Sequence, residues 1–253
     1  MSWAEVKYAL NSTLGTENFA ALDVLFGGCE IFTESGSFNV PKGVKTVYLT
    51  ACAAGGAGED GDMYAGGCGG DRGEYVIHRK IDTTNIDAIS FTIGKGVEGS
   101  NGESTIINNI VTLAGGSKGS VNIENSGAGA ENNSSTSTAD FFTPGGSGGA
   151  SLLSGGGSPK GESATSANRN AASGGGGAGC LGSGGRGATD STNRGDGYAV
   201  RRAEKGGYGA GGGGGASEAT SANDGAVGGD GLVIFAWGLT AFTMLKNFGG
   251  EIG

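Results

Sequence analysis

Gly231-Leu232-Val233-Ile234-Phe235-Ala236-Trp237 is the stretch that decides the fold. It is an apolar run of strand length, rich in β-branched and aromatic residues, and it follows directly on glycine. From about residue 125 to 231 the apolar signal almost vanishes before it. Gly runs recur there at 145–149, 155–157, 174–179, 182–187, 206–215 and 225–231, separated by polar segments such as Glu131-Asn132-Asn133-Ser134-Ser135. A tract of this composition reads by itself as a flexible linker. A linker rarely ends in one apolar strand with no later strand to pair with. Leu232–Trp237 must therefore join strands that lie upstream, which ties the glycine tract at both ends.

Those upstream strands are visible between about 29 and 124. Glu30 to Thr33, Gly36 to Val40, Val44 to Ala51, Glu74 to Ile81, Ala88 to Ile93, Thr105 to Leu113 and Gly119 to Ile123 are short and β-branched or aromatic. Gly, Asn, Asp or Pro bounds each of them. The spacing predicts a mainly β fold, a small antiparallel β-sandwich or β-roll.

Glycine makes up 58 of 253 residues, roughly three times ordinary usage. Pro numbers only 3, and the runs lack a strict third-residue period, so collagen is excluded. Side-chain-free segments can adopt polyproline II, a threefold helix rising about 3.1 Å per residue, and approach closely enough to bond through their amides. Ordering each residue costs about 1–2 kcal/mol, and a net hydrogen bond returns about 0.5–1.5 kcal/mol. Packed polyglycine II rods thus need the sheet as an anchor. We expect a large glycine-rich insertion of such rods at 125–230, joined by exposed loops.

Residues 1–28 differ from the rest. Ser2-Trp3-Ala4-Glu5 fits a capping box, and Trp3, Val6, Leu10 and Leu14 form one helical stripe ended by Gly15. Thr16 opens a second short helix with Phe19, Leu22, Leu25 and Phe26. Helices this short need a dock, on their own β-domain or on a partner chain. Four parts result: an N-terminal helical attachment segment (1–28), a β-domain (29–124), the glycine-rich region (125–230), and the closing strand with a C-terminal tail (231–253). The tail's apolar Leu239 to Phe248 packs on the β-domain or on another subunit.

Rods without side chains leave recognition to their connecting turns. The receptor-binding candidates are Phe141, Phe142, Arg169, Arg186, Arg194, Tyr198, Arg201, Arg202 and Tyr208, since Tyr and Arg are favoured at interface hot spots. Phe141 and Phe142 serve equally well as anchors on the sheet, and Arg201-Arg202 as a solvated pair.

Other motifs fall away. Gly55-Gly56-Ala57-Gly58-Glu59-Asp60 resembles half of a calcium-binding nonapeptide, but Asp62 takes the apolar position and no tandem copy follows. Arg194-Gly195-Asp196 is expected by chance in so Gly- and Asp-rich a chain. Gly184-Gly185-Arg186-Gly187 lacks the aromatics and basic surroundings of an RNA-binding segment. Four cysteines and one histidine, His78, offer no zinc spacing; a Cys52–Cys68 disulfide is the oxidised alternative to thiols. Carboxylates are scattered, and His78 has no nucleophile at a telling distance in sequence. No catalytic residue, cofactor or metal is expected.

Phe38-Asn39-Val40-Pro41-Lys42-Gly43-Val44 and Gly229-Asp230-Gly231-Leu232-Val233-Ile234, with Gly runs between, resemble the glycine-rich domain of phage tail fibres and tail-like bacteriocins. Met1-Ser2-Trp3-Ala4-Glu5-Val6-Lys7 resembles the start of tail-associated proteins of phages infecting Gram-positive bacteria. The resemblance implies a non-enzymatic receptor-binding protein of the virion tail. It would touch a cell-surface protein or wall glycan, join other tail proteins through its N-terminus, and form a homotrimer. The net charge of -9 opposes nucleic acid and gives no attraction to anionic membranes. No membrane insertion is expected, and no secretory signal is read at the N-terminus, so manufacture in the host cytoplasm and release by lysis are expected.

Overall fold

A computed structural model describes residues 27–61, 67–119, 179, 181–188, 202–215 and 224–241. The helices expected before residue 27 and the tail beyond 241 lie outside the described residues. Two four-stranded antiparallel sheets make the sandwich. The strands are β1 (Gly28–Phe32), β2 (Gly36–Asn39), β3 (Thr46–Cys52), β4 (Tyr75–Asp82), β5 (Ala88–Thr92), β6 (Thr105–Ile107), β7 (Val111–Leu113) and β8 (Leu232–Trp237). One sheet runs β1-β8-β3-β4 and the other β2-β5-β6-β7.

The apolar closing run is β8, held between β1 and β3. Phe235 stands opposite Glu30 on one side and Leu49 on the other. Both faces of β8 are buried, which is why its sequence does not alternate. Inward, Phe235 stacks on Phe38 of the opposite sheet with centroids 4.5 Å apart and rings 11° from parallel. Phe32, Phe91 and Trp237 close around this pair, and Val47, Leu49, Ile89, Ile107 and Val233 complete the core. On the other face Leu232 and Ile234 pack with Cys52, Tyr75, Ile77 and Leu181.

Three details differ from the expected strands. Thr105 to Leu113 is not one strand but a tight hairpin, β6 and β7, turning at residues 108–110 with Asn109 at φ 60°. Asn tolerates this left-handed conformation well. β4 carries a bulge: Leu49 faces Arg79 while Ala51 faces Val76. His78 sits in it at φ 53°, and its amide donates to the Thr50 hydroxyl at 3.1 Å. Gly119, expected to open a strand, belongs to the bundle described next; residues 120–123 lie outside the described residues.

At one end of the sandwich the strands run on as glycine-rich rods. β3 continues into 53–61 and β4 is reached through 67–74. The β5–β6 connection spans 93–104, β7 continues into 114–119, and 224–231 leads into β8. Segments 181–188, 202–207 and 210–215 complete the described bundle. Rods therefore arise from within the stretch read as β-domain as well as from the 125–230 tract.

The bonding pattern fixes their geometry. Along 53–59, Ala53, Gly56 and Glu59 donate to Glu74, Asp71 and Cys68. Ala54 and Ala57 donate to Glu103 and Ser100, and Gly55 and Gly58 to Gly229 and Ala226. Every third amide thus returns to the same antiparallel neighbour, the signature of a threefold polyglycine II helix. Two parallel neighbours donate in return: Gly116 and Gly119 to Ala54 and Ala57, and Gly212 and Gly215 to Gly56 and Glu59. One rod is thereby ringed by five. Glycine is required by contact: a Cβ at Gly55, Gly58, Gly70, Gly212 or Gly229 would fall under 3.0 Å from a neighbouring rod's backbone.

Candidate functional site

The rods share two levels. Near the sheets, Ala53, Glu74, Gly229, Gly231 and Ala210 are linked by Ala53–Glu74, Gly229–Ala210 and Gly231–Gly94 bonds. At the far level, Glu59 bonds Cys68, Gly67 bonds Gly215, Gly215 bonds Glu59, Gly58 bonds Ala226 and Ala188 bonds Gly214. Six residues separate Ala53 from Glu59, which at about 3.1 Å each puts the levels about 19 Å apart. The far level collects Gly61 and Gly67, Ala188, Gly215 and Asp224, the described residues that flank 62–66, 189–201 and 216–223. These chain ends meet at one end of the bundle, opposite the sandwich.

Its electrostatics are mixed. Lys118 Nζ pairs with Glu59 Oε2 at 2.8 Å, and the Gly225 amide donates to Asp60 Oδ1 at 2.8 Å. Glu59 and Asp60, the end of the 55–60 run that resembles half of a calcium-binding nonapeptide, are part of a rod and its end. Along the flank Arg186 meets Glu204 at 3.7 Å, both half exposed, a pair that contributes little to stability. Asp230 takes the Gly96 amide at 2.9 Å and lies 3.9 and 3.7 Å from the ammonium groups of Lys95 and Lys205. Burial alone raises the Asp71 carboxyl above its ordinary range. Among the described residues no cluster of His, Cys, Asp and Glu is arranged to hold a metal ion. Cys29, Cys52 and Cys68 are not joined in disulfides.

Of the nine receptor-binding candidates, Arg186, Arg202 and Tyr208 are described; Phe141, Phe142, Arg169, Arg194, Tyr198 and Arg201 lie outside the described residues, as do Trp3, Val6, Leu10 and Leu14. The three do not form one patch. Glu204 donates to Arg186 and Gly207 to Ser183, so the 202–207 rod carries Arg202 toward the far end. Tyr208 stands at the opposite end of that rod, in the turn with Gly209, whose amide donates to Asp230. It is 42% exposed beside the sandwich.

A family model for a glycine-rich domain matches residues 33–238. The chain belongs to the glycine-rich domain family. Its match runs from just before β2 to just after β8, taking in the bundle and every strand of the sandwich but β1. No curated protein matches the chain.

A second feature of this glycine-rich domain escapes a reading by motif. Arg72, Gly73, Glu74 and Tyr75 at the start of β4, with Val111, Thr112 and Leu113 of β7, line an open groove of 460 Å³. β4 and β7 are edge strands of different sheets. Glu74 clasps the edges together: its amide donates to the Ala114 carbonyl at 2.9 Å, and its Oε2 accepts from the Ala114 amide at 2.8 Å. The signal available in sequence was Arg72-Gly73-Glu74-Tyr75 at a Gly-rich boundary, where a charged pair flanks a glycine next to an aromatic.

Proposed function

We propose that this protein is a non-enzymatic receptor-binding component of a phage-type tail fibre, attaching the particle to a host cell through the connections between its glycine rods. One observation carries the reading: glycine-rich rods that bond through their backbones gather several chain ends at one end of the bundle, away from the sandwich. A scaffold whose interior admits little beyond glycine and alanine leaves those connections as the place where sequence can vary without disturbing packing. The glycine-rich family and the opening and closing strand motifs support the same reading. The dense backbone bonding equally suits a stiff connector, the rival reading within the tail.

The test replaces 62–66, 120–178, 189–201 and 216–223 by Gly-Ser linkers of equal length in the full chain. Binding of purified protein to intact Gram-positive bacteria is then measured beside thermal melting. Attachment by recognition requires adsorption to fall by about tenfold or more, equal to about 1.4 kcal/mol, with melting retained. Adsorption unchanged in the combined replacement removes the connections from recognition and leaves the connector reading.

A further inference from the structure

We infer that the groove between the β4 and β7 edges is a second binding site, made for a neutral saccharide unit. It lies at the base of the bundle, at the level where Ala53 bonds Glu74, and does not depend on the reading of the rod ends. At 460 Å³ it falls within the usual range of small-molecule clefts, about 300–1,000 Å³.

Its chemistry is amphipathic. Arg72 is exposed, and its guanidinium lies 5.2 Å from the Tyr75 ring centroid. Among the described residues no carboxylate stands within ion-pair distance of it. Stacking holds the guanidinium plane while leaving its N–H donors uncommitted. Glu74 uses one carboxylate oxygen on the Ala114 amide, and the other retains acceptor capacity. Thr112 is exposed on the opposite wall and adds a hydroxyl, while the half-buried Val111 and Tyr75 supply apolar surface.

A donor cation and an acceptor anion on one wall sum to no net charge. Such a pair gives carboxylates, phosphates and ammonium groups no net attraction, since each is drawn by one partner and repelled by the other. Vicinal hydroxyls match it, because each hydroxyl accepts from the guanidinium and donates to the carboxylate. The C–H face of a pyranose then rests on Val111 and the rim of Tyr75, whose face Arg72 covers. Tyr75 is itself fixed from behind by Cys52, Leu232 and Ile234, so the wall is rigid before ligand arrives.

The experiment is an amide-resonance titration of the full chain with cellobiose, maltose, N,N′-diacetylchitobiose and, as the acidic comparison, glucuronic acid. The expected result is saturable shifts at 72–75 and 111–113 with at least one neutral disaccharide, at an affinity of about 1 mM. Arg72→Ala should weaken that binding by about tenfold or more, and the exposed Thr112→Ala should weaken it measurably with the spectrum otherwise unchanged. Arg202→Ala, toward the far end of the bundle, should leave it intact. The inference is overturned if no neutral disaccharide moves these amides, if only glucuronic acid does, or if neither groove variant weakens binding. Loss of cell adsorption on replacing the rod connections, with groove titration intact, separates the two sites.

Discussion

Substituting Gly212 tests the packed-rod architecture at a crowded point where three rods meet. Gly212 donates to Gly56 at 3.0 Å and accepts from Gly70 at 2.9 Å, so it joins three rods. A Cβ there would collide with the Ala226 carbonyl oxygen and lie 2.6 Å from both the carbonyl carbon of Ala226 and the oxygen of Val227. All three are backbone atoms of a neighbouring rod, so no rotamer change relieves the clash. Overpacking a tight interior costs about 1–3 kcal/mol, and stretching the two bonds forfeits up to about 0.5–1.5 kcal/mol each. Restricting the unfolded chain returns about 0.4–1 kcal/mol. Gly212→Ala should therefore lose about 2–4 kcal/mol net, a fall in Tm of about 4–16 °C for a domain of this size. Gly36→Ala is the control, since a Cβ there meets only Phe91 Cζ at 3.8 Å; it should stay within about 0.5 kcal/mol of the parent. Differential scanning calorimetry of the two variants is the assay. A Gly212→Ala protein that melts with the control, or above the parent, would refute close backbone packing of the rods.

Two further perturbations probe the sandwich. Phe235→Ala removes a fully buried ring stacked on Phe38 and should cost about 3–5 kcal/mol, read as a lower urea midpoint at unchanged m-value. His78 stacks on Tyr48 with centroids 4.2 Å apart, and its Nε2 is buried without a hydrogen-bond partner. Burial lowers its pKa below the usual 6.5. The folded state then binds fewer protons than the unfolded state, and stability falls as pH drops through 6.5 and below. His78→Asn keeps the left-handed backbone accessible and should flatten the urea stability profile between pH 5 and 7; an unchanged slope assigns the dependence elsewhere.

How much of this was legible follows from what each residue must do locally. Leu232–Trp237 announced both its strand and its upstream pairing, because an unbroken apolar run has few other places to go. The rods were legible as a chemistry but not in extent. Ala53-Ala54-Gly55-Gly56-Ala57-Gly58 has rod composition, yet its place between two strands put it within the β-domain rather than the rod region. The hairpin at Asn108-Asn109 hid inside a continuous apolar stretch, although paired asparagines mark left-handed turns. The bulge at His78 left no trace, since its cause is the Thr50 hydroxyl on another strand. At the site level, Arg202 and Tyr208 are near in sequence and stand toward opposite ends of one rod. Arg72 and Thr112 are far apart in sequence and share a groove. Sheet pairing brings them together, and composition carries no record of it.

The threefold rod has an evolutionary corollary. Each residue turns the backbone by a third of a circle, so inserting or deleting one inside 53–59 would swing every later amide from its own neighbour to the wrong one. Length changes within a rod are confined to whole triplets, whereas the chain beyond its ends can lengthen, shorten or diversify one codon at a time. The bundle thus imposes a reading frame on its own interior and leaves its outer end ungoverned.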